Sequence, residues 1–149
     1  MEKLNRKFKY FFVAALLLST CLIWYAVWVE GNNKLTVAFL DVGQGDAILI
    51  TSPSGNQLLI DGGPNGAVSS KLSEVMPFYD RSIDMVLMTH PDSDHVNGLV
   101  DVLRRYKVNV FIDAGAVSGN PAYGEAEKII ADKSIKSLDL TKGYRINLD

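Results

Sequence analysis

Thiols and imidazoles are scarce in this chain of 149 residues, which holds one cysteine and two histidines. The lone Cys21 excludes an internal disulfide, and its place in a hydrophobic run removes it as a zinc thiolate. Basic excess is lacking as well. Residues 30–149 carry 11 Lys and Arg against 16 Asp and Glu, so the segment has no general attraction for nucleic-acid phosphates. The one local basic cluster, Arg104-Arg105-Tyr106-Lys107, falls on a helical stretch where a solvated face is expected. Neither an internal repeat nor a low-complexity tract is present. Outside the hydrophobic run, about 120 residues can build one modest core but not two.

What the chain does have is twenty consecutive uncharged residues, Tyr10 to Val29, reading YFFVAALLLSTCLIWYAVWV. As a helix at 1.5 Å per residue they span about 30 Å, the thickness of a bilayer's hydrocarbon core. Residues 1–9 carry Lys3, Arg6, Lys7 and Lys9 against Glu2, a basic flank of the kind that stays cytoplasmic. Trp24, Tyr25 and Trp28 gather near the far end, where amphipathic rings favour the headgroup region. A cleaved signal peptide is the alternative, with an apolar core of about 7–15 residues and a small-residue cleavage site. Here bulky Trp and Val continue to Glu30, and Leu18-Ser-Thr-Cys21 fits a lipoprotein box poorly. The reading is a single-pass anchor in the cell membrane over 10–29, a linker over 30–34, and an extracytoplasmic domain over 35–149.

In that domain, Leu35–Leu40 reads as a buried strand, followed by the glycine turn Asp41-Val-Gly-Gln-Gly-Asp46. Ala47–Thr51 and Gln57–Ile60 flank Ser52-Pro-Ser-Gly-Asn56 and predict a hairpin. A helix over Val68–Met76 stops at Pro77. Ile83–Met88 and Val108–Ile112 are strands, and Val96–Tyr106 is a helix by its apolar spacing. A loop containing Gly115, Gly119 and Pro121 leads to a helix near Tyr123–Asp132, and SLDLTKGYRINLD suggests two further short strands. Strands followed by strand–helix alternation make an α/β domain.

Both histidines fall in one stretch, His90-Pro-Asp-Ser-Asp-His95, at the end of a predicted strand, where α/β proteins place ligands. In an extended run, residues two apart point the same way. His90, Asp92 and Asp94 then converge, and His95 turns inward as the helix begins. Two imidazoles and two carboxylates serve one divalent ion fully or two partly. The structural alternative is that Asp92 or Asp94 only caps the following helix. A cap needs one acid, whereas here two are flanked by the chain's only histidines.

This stretch resembles the H-x-H-x-D-H motif of the metallo-β-lactamase fold, with Asp92 in place of the middle histidine. Together with FLDVGQGDAILI (Phe39–Ile50) and LLIDGG (Leu58–Gly63), it is similar to the hydrolase-like domain of ComEC-type DNA-internalisation competence proteins. The resemblance covers residues 35–148. It implies a partial αββα sandwich, preceded by the single transmembrane helix and incomplete at its C-terminal end. It also implies that His90 and Asp92 ligate one metal, and Asp94 and His95 a second. Asp94 is the catalytic proton acceptor if a single ion binds. Asp61 is expected to orient the site from behind the ligands, and Asp41, Gly43, Gln44, Gly45 and Asp46 to form its rim.

A carboxylate in the second ligand position hardens the set, so Mn²⁺ and Mg²⁺ stand beside Zn²⁺. The implied activity is hydrolysis of an ester, amide or phosphodiester by metal-activated water, with DNA as the proposed substrate. The family's later ligands, a metal-bridging Asp and a His-His-Gly loop, have no counterpart after His95. Two expectations follow: a truncated or split gene product that is catalytically weak alone, or a site completed by a second polypeptide or a second copy. The alternative function is a membrane-tethered binding or assembly module.

Overall fold

A computed structural model describes residues 2–31, 34–114, 119–140 and 143–149. Asn32 and Asn33 of the expected linker, Gly115 of the expected loop, and Thr141-Lys142 of the tail lie outside them. The chain divides into two compact units, residues 1–34 and 35–149.

The first unit is one helix, α1 (Glu2–Gly31). Its 22-residue stretch Lys7–Trp28 is long and apolar enough to cross a membrane, a property that signal sequences share.

The second unit has the order β1 (Thr36–Phe39), β2 (Ile48–Thr51), β3 (Gln57–Ile60), α2 (Ala67–Val75), β4 (Ser82–Met88), α3 (Ser93–Arg105), β5 (Lys107–Asp113), α4 (Pro121–Asp132) and β6 (Lys136–Asp139). The six strands form one mixed sheet in sequential order. β1, β2 and β3 pair antiparallel, whereas β3 to β6 run parallel. The expected hairpin is present: Thr51 lies opposite Gln57, and Ser52 N–H donates to the Asn56 carbonyl at 2.8 Å. Gly55 supplies the left-handed residue that this turn needs, at φ +93°.

Each β–α–β crossover advances one strand in the same direction, so connections of one hand put α2, α3 and α4 on one face. The core lies beneath them. Leu49, Leu59, Val86, Met88 and Phe111 of the sheet pack with Val68, Leu72, Val96, Leu99, Val102, Leu103, Ala126 and Ile130 of the helices. A Lys133 ammonium closes the C-terminal end of α3, donating to the Leu103 and Arg104 carbonyls at 2.7 and 3.0 Å. Arg104 of the expected solvated cluster pairs with Glu125 across α3 and α4, while Tyr106 is buried.

The opposite face carries two apolar rows fixed by register. One runs Val37, Ile50, Leu58, Met85, Val110, and the other Phe39, Ile48, Ile60, Leu87, Ile112, Leu138. None of these residues belongs to the core beneath the helices. Among the described residues there is one sheet and one helix layer, half of the expected sandwich.

Three expectations change. β1 is an exposed edge strand rather than a buried one, with Phe39 79% exposed, because its outward side chains lie on the uncovered face. The helix after His90 begins at Ser93, three residues earlier than its apolar spacing marks, since the first turn is polar. The tail contributes one strand, β6. Residues 143–149 form no second strand and are held through side chains of the β2–β3 turn, where Asn56 Nδ2 donates to the Leu148 carbonyl and Ser54 Oγ to Asp149.

A glycine contact fixes α3 against the end of β3. Gly62 N–H donates to the His95 carbonyl at 2.9 Å, and Gly98 N–H to the Gly63 carbonyl at 3.0 Å. A Cβ on Gly98 would stand 1.8 Å from the Gly62 oxygen, and one on Gly62 would stand 2.5 Å from the Leu99 nitrogen. This close approach explains a glycine in mid-helix. Gly98→Ala gains about 1 kcal/mol of helix propensity but forces backbone apart, at a cost of about 1–3 kcal/mol. The expected net result is a lower urea midpoint; a midpoint above wild type would refute the contact.

Candidate metal centre

β4 and β5 are parallel and buried, so the loops at their C-terminal ends open on one edge. β4 delivers Thr89 and His90 there. The chain passes Pro91 and enters α3 with Asp92 at the N-cap position. The Asp92 carbonyl accepts the amides of His95 and Val96 at 2.9 and 3.0 Å, yet its side chain makes no capping bond. The Asp92 carboxylate instead lies 3.7 Å from His90 Nε2, and that of Asp94 lies 3.7 Å from His95 Nε2. The imidazole centroids are 3.8 Å apart with a 46° tilt. Because α3 starts at Ser93, Asp94 reaches this edge from the first helical turn rather than from an extended run.

Behind the imidazoles lies Asp61, 2% exposed, just past the end of β3. Its Oδ1 accepts the Thr89 amide at 2.8 Å. Its Oδ2 accepts the Thr89 hydroxyl at 2.6 Å and faces His95 Nδ1 at 2.9 Å. On distance alone Asp61 joins His90 and His95 as a possible ligand, the three offering donor atoms within 4.8 Å of one another. Its oxygens already accept three hydrogen bonds, one on Oδ1 and two on Oδ2, of the roughly four an ionised carboxylate can take. Asp92 and Asp94 stay open to solvent, with side chains 74% and 51% exposed, whereas the His95 side chain is 10% exposed. Among the described residues the donors within 4.8 Å of one another are those of Asp61, His90 and His95, and Asp92 and Asp94 lie outside that group.

The glycine turn closes against this loop. Gly45 has φ +69°, and a Cβ there would stand 1.8 Å from the Asp94 carbonyl oxygen. Gly43, at φ +89°, donates its amide to Asp41 Oδ1 at 3.3 Å, and Gly63 N–H donates to the Asp46 carbonyl at 3.0 Å. Gln44 lies exposed between the two glycines.

Three contributors went unread in the sequence. Thr89 touches Asp61 twice, and its Oγ1 lies 2.9 Å from His90 Nδ1. Asn120 caps α4 through Oδ1, accepting from the Ala122 amide at 3.0 Å, while its Nδ2 donates to the Pro91 carbonyl at 2.9 Å. The Asn-Pro pair at 120–121 signals that helix start; the second bond has no sequence signature. Asp113, at the end of β5 and opposite Met88, accepts the Tyr123 hydroxyl at 2.9 Å.

That bond, then burial, raises the Tyr123 pKa from 10.0 to about 12. The folded state thus favours the neutral phenol. The resulting stability is fully present below pH 10.0 and is lost as pH rises toward about 12. Difference absorbance between wild type and Tyr123→Phe should show one phenol titrating near 12. In Asp113→Asn that midpoint should fall toward 10.0; an unmoved midpoint would remove Asp113 as the cause.

The family model of the Metallo-beta-lactamase superfamily matches residues 40–127. Among solved structures, Rm3 metallo-beta-lactamase is similar at 23% identity, with a TM-score of 0.41, over 51% of this chain. The chain spans 28% of the length of that protein. No curated protein matches.

Proposed function

Since the chain belongs to the metallo-beta-lactamase superfamily, we propose that it is a membrane-anchored, metal-dependent hydrolase of phosphodiesters, with a DNA strand as substrate during uptake, as in ComEC-type competence proteins. The observation that carries this reading is the donor set at the strand edge. His90 pairs with Asp92, and His95 with Asp94, each Nε2 standing 3.7 Å from a carboxylate oxygen. His90 and Asp92 would hold one divalent ion, and Asp94 and His95 a second; with a single ion, Asp94 would be the proton acceptor. Zn²⁺, Mn²⁺ and Mg²⁺ all suit imidazole mixed with carboxylate.

A bound ion supplies Lewis acidity that activates water near neutral pH and offsets charge on the substrate oxygen. The chain's own work is placement. Asp61 fixes the ring of His95, the glycine turn lines the rim, and the exposed carboxylates leave a solvent-facing approach. The acidic balance of residues 30–149 is compatible with a phosphodiester, because bound cations reverse the local field. α1 serves as the anchor, with residues 1–9 cytoplasmic and residues 35–149 outside.

A second reading is favoured by the apolar rows on the sheet face away from the helices, from Phe39 to Leu138 and from Val37 to Val110. The exposed end of these rows, with Phe39 79% and Val37 46% exposed, offers an apolar interaction patch on the edge strand. In this reading the domain is a membrane-tethered module whose site is completed by a second polypeptide or a second copy.

Turnover of a chromogenic phosphodiester separates the two. The hydrolase should require added Zn²⁺ or Mn²⁺, stop with chelator, and lose on the order of 100-fold or more in Asp94→Ala or His95→Ala, at least what disrupting a ligand's support costs. Folded protein that takes up metal without turnover would reject the hydrolase and favour the module.

A further inference from the structure

We propose that Thr89 is a positioning residue whose hydroxyl passes the orientation imposed by Asp61 on to His90, so that one buried carboxylate sets the tautomer of both imidazoles. The inference rests on the reading of His90 and His95 as metal ligands, and it follows from donor and acceptor arithmetic.

An ionised carboxylate only accepts hydrogen bonds. His95 Nδ1, 2.9 Å from Asp61 Oδ2, must therefore carry the proton in that contact. The neutral ring then keeps its lone pair on Nε2, the atom beside Asp94. Thr89 Oγ1 has a single proton. At 2.6 Å from the same Asp61 oxygen, that proton is committed to the carboxylate, so the hydroxyl can meet a neighbour only as acceptor. The neighbour is His90 Nδ1, at 2.9 Å. His90 must donate from Nδ1 and, when neutral, hold its lone pair on Nε2, facing Asp92.

The two rings thus present equivalent nitrogens to the solvent edge, one set by Asp61 directly and one through Thr89. The Thr89 amide is bound to Asp61 Oδ1 at 2.8 Å, which fixes the backbone from which the hydroxyl reaches both partners. No other hydrogen-bond partner of His90 Nδ1 is found among the described residues.

The histidine count makes this testable by nitrogen NMR on the full chain in detergent micelles. With two imidazoles in all, His90→Gln and His95→Gln assign the signals. In the metal-free protein His90 should be the Nδ1–H tautomer. Thr89→Val keeps the shape and removes the hydroxyl, so His90 should shift toward Nε2–H. Titration with Zn²⁺ or Mn²⁺ alone should then show affinity weakened about 10–100-fold, the usual effect of losing a ligand's hydrogen-bond partner. Thr89→Ser should retain both the tautomer and the affinity.

A wild-type His90 protonated on Nε2 overturns the proposal. So does Thr89→Val with an unchanged tautomer, or with a changed tautomer and wild-type affinity. If Thr89→Val fails to fold, the tautomers of wild type and Thr89→Ser decide. Wild type that takes up no metal would sink the ligand reading, while the metal-free tautomers still test the relay.

Discussion

The candidate site depends on a carboxylate buried where the chain turns. Asp61 sits just past β3 with φ 56°, a left-handed conformation that Asp tolerates better than most residues but that still costs about 1–3 kcal/mol. The surroundings hold it there. Its amide donates to the Leu87 carbonyl at 2.9 Å, and its oxygens receive the Thr89 amide, the Thr89 hydroxyl and the His95 ring. One residue thereby ties the end of β3, the end of β4 and the first turn of α3 together, at the point where the imidazoles emerge.

Close backbone approach supports that knot. Gly62 and Gly98 let α3 lie directly on the strand end, and Gly45 lets the β1–β2 turn press on the Asp94 carbonyl. Asn120 adds a tie from α4 to the Pro91 carbonyl. The histidine-bearing loop is short and is held from three directions. Its two acidic side chains are released from the usual helix-capping duty: Asp92 stands at the N-cap without using its carboxylate there, and Asp94 stands in the positive first turn, where an anion is favoured.

Much of this was legible in the sequence, for identifiable reasons. Alternating strand and helix patterns located β1 to β5, because each carries an apolar run, whereas β6, Lys-Ser-Leu-Asp, does not. The pairing of histidines and acids in residues 90–95 marked the edge where side chains gather. Asp61 was found through the LLIDGG motif, not from local pattern. What escaped were contacts made by common residues across the fold. Thr89 looks like any strand-end threonine until Asp61, 28 positions earlier, is brought beside it. Burial of β1 was misjudged because apolar content cannot tell a covered face from an uncovered one. The start of α3 was misplaced because its first turn, Ser93-Asp94-His95, has no apolar stripe.

The order of the strands along the sheet has a bearing on how the domain forms. Every ladder joins strands that are also neighbours in the sequence, so no pairing has to wait for a distant part of the chain. Each parallel pairing therefore closes a loop no longer than one crossover helix and its connections, which limits the entropy spent on loop closure. The imidazole edge draws its contacts from β4, α3 and the end of β3, three elements that follow one another in the chain. β6 and the segment reaching back to Ser54 lie outside that set of contacts, at the far edge of the sheet and at the β2–β3 turn.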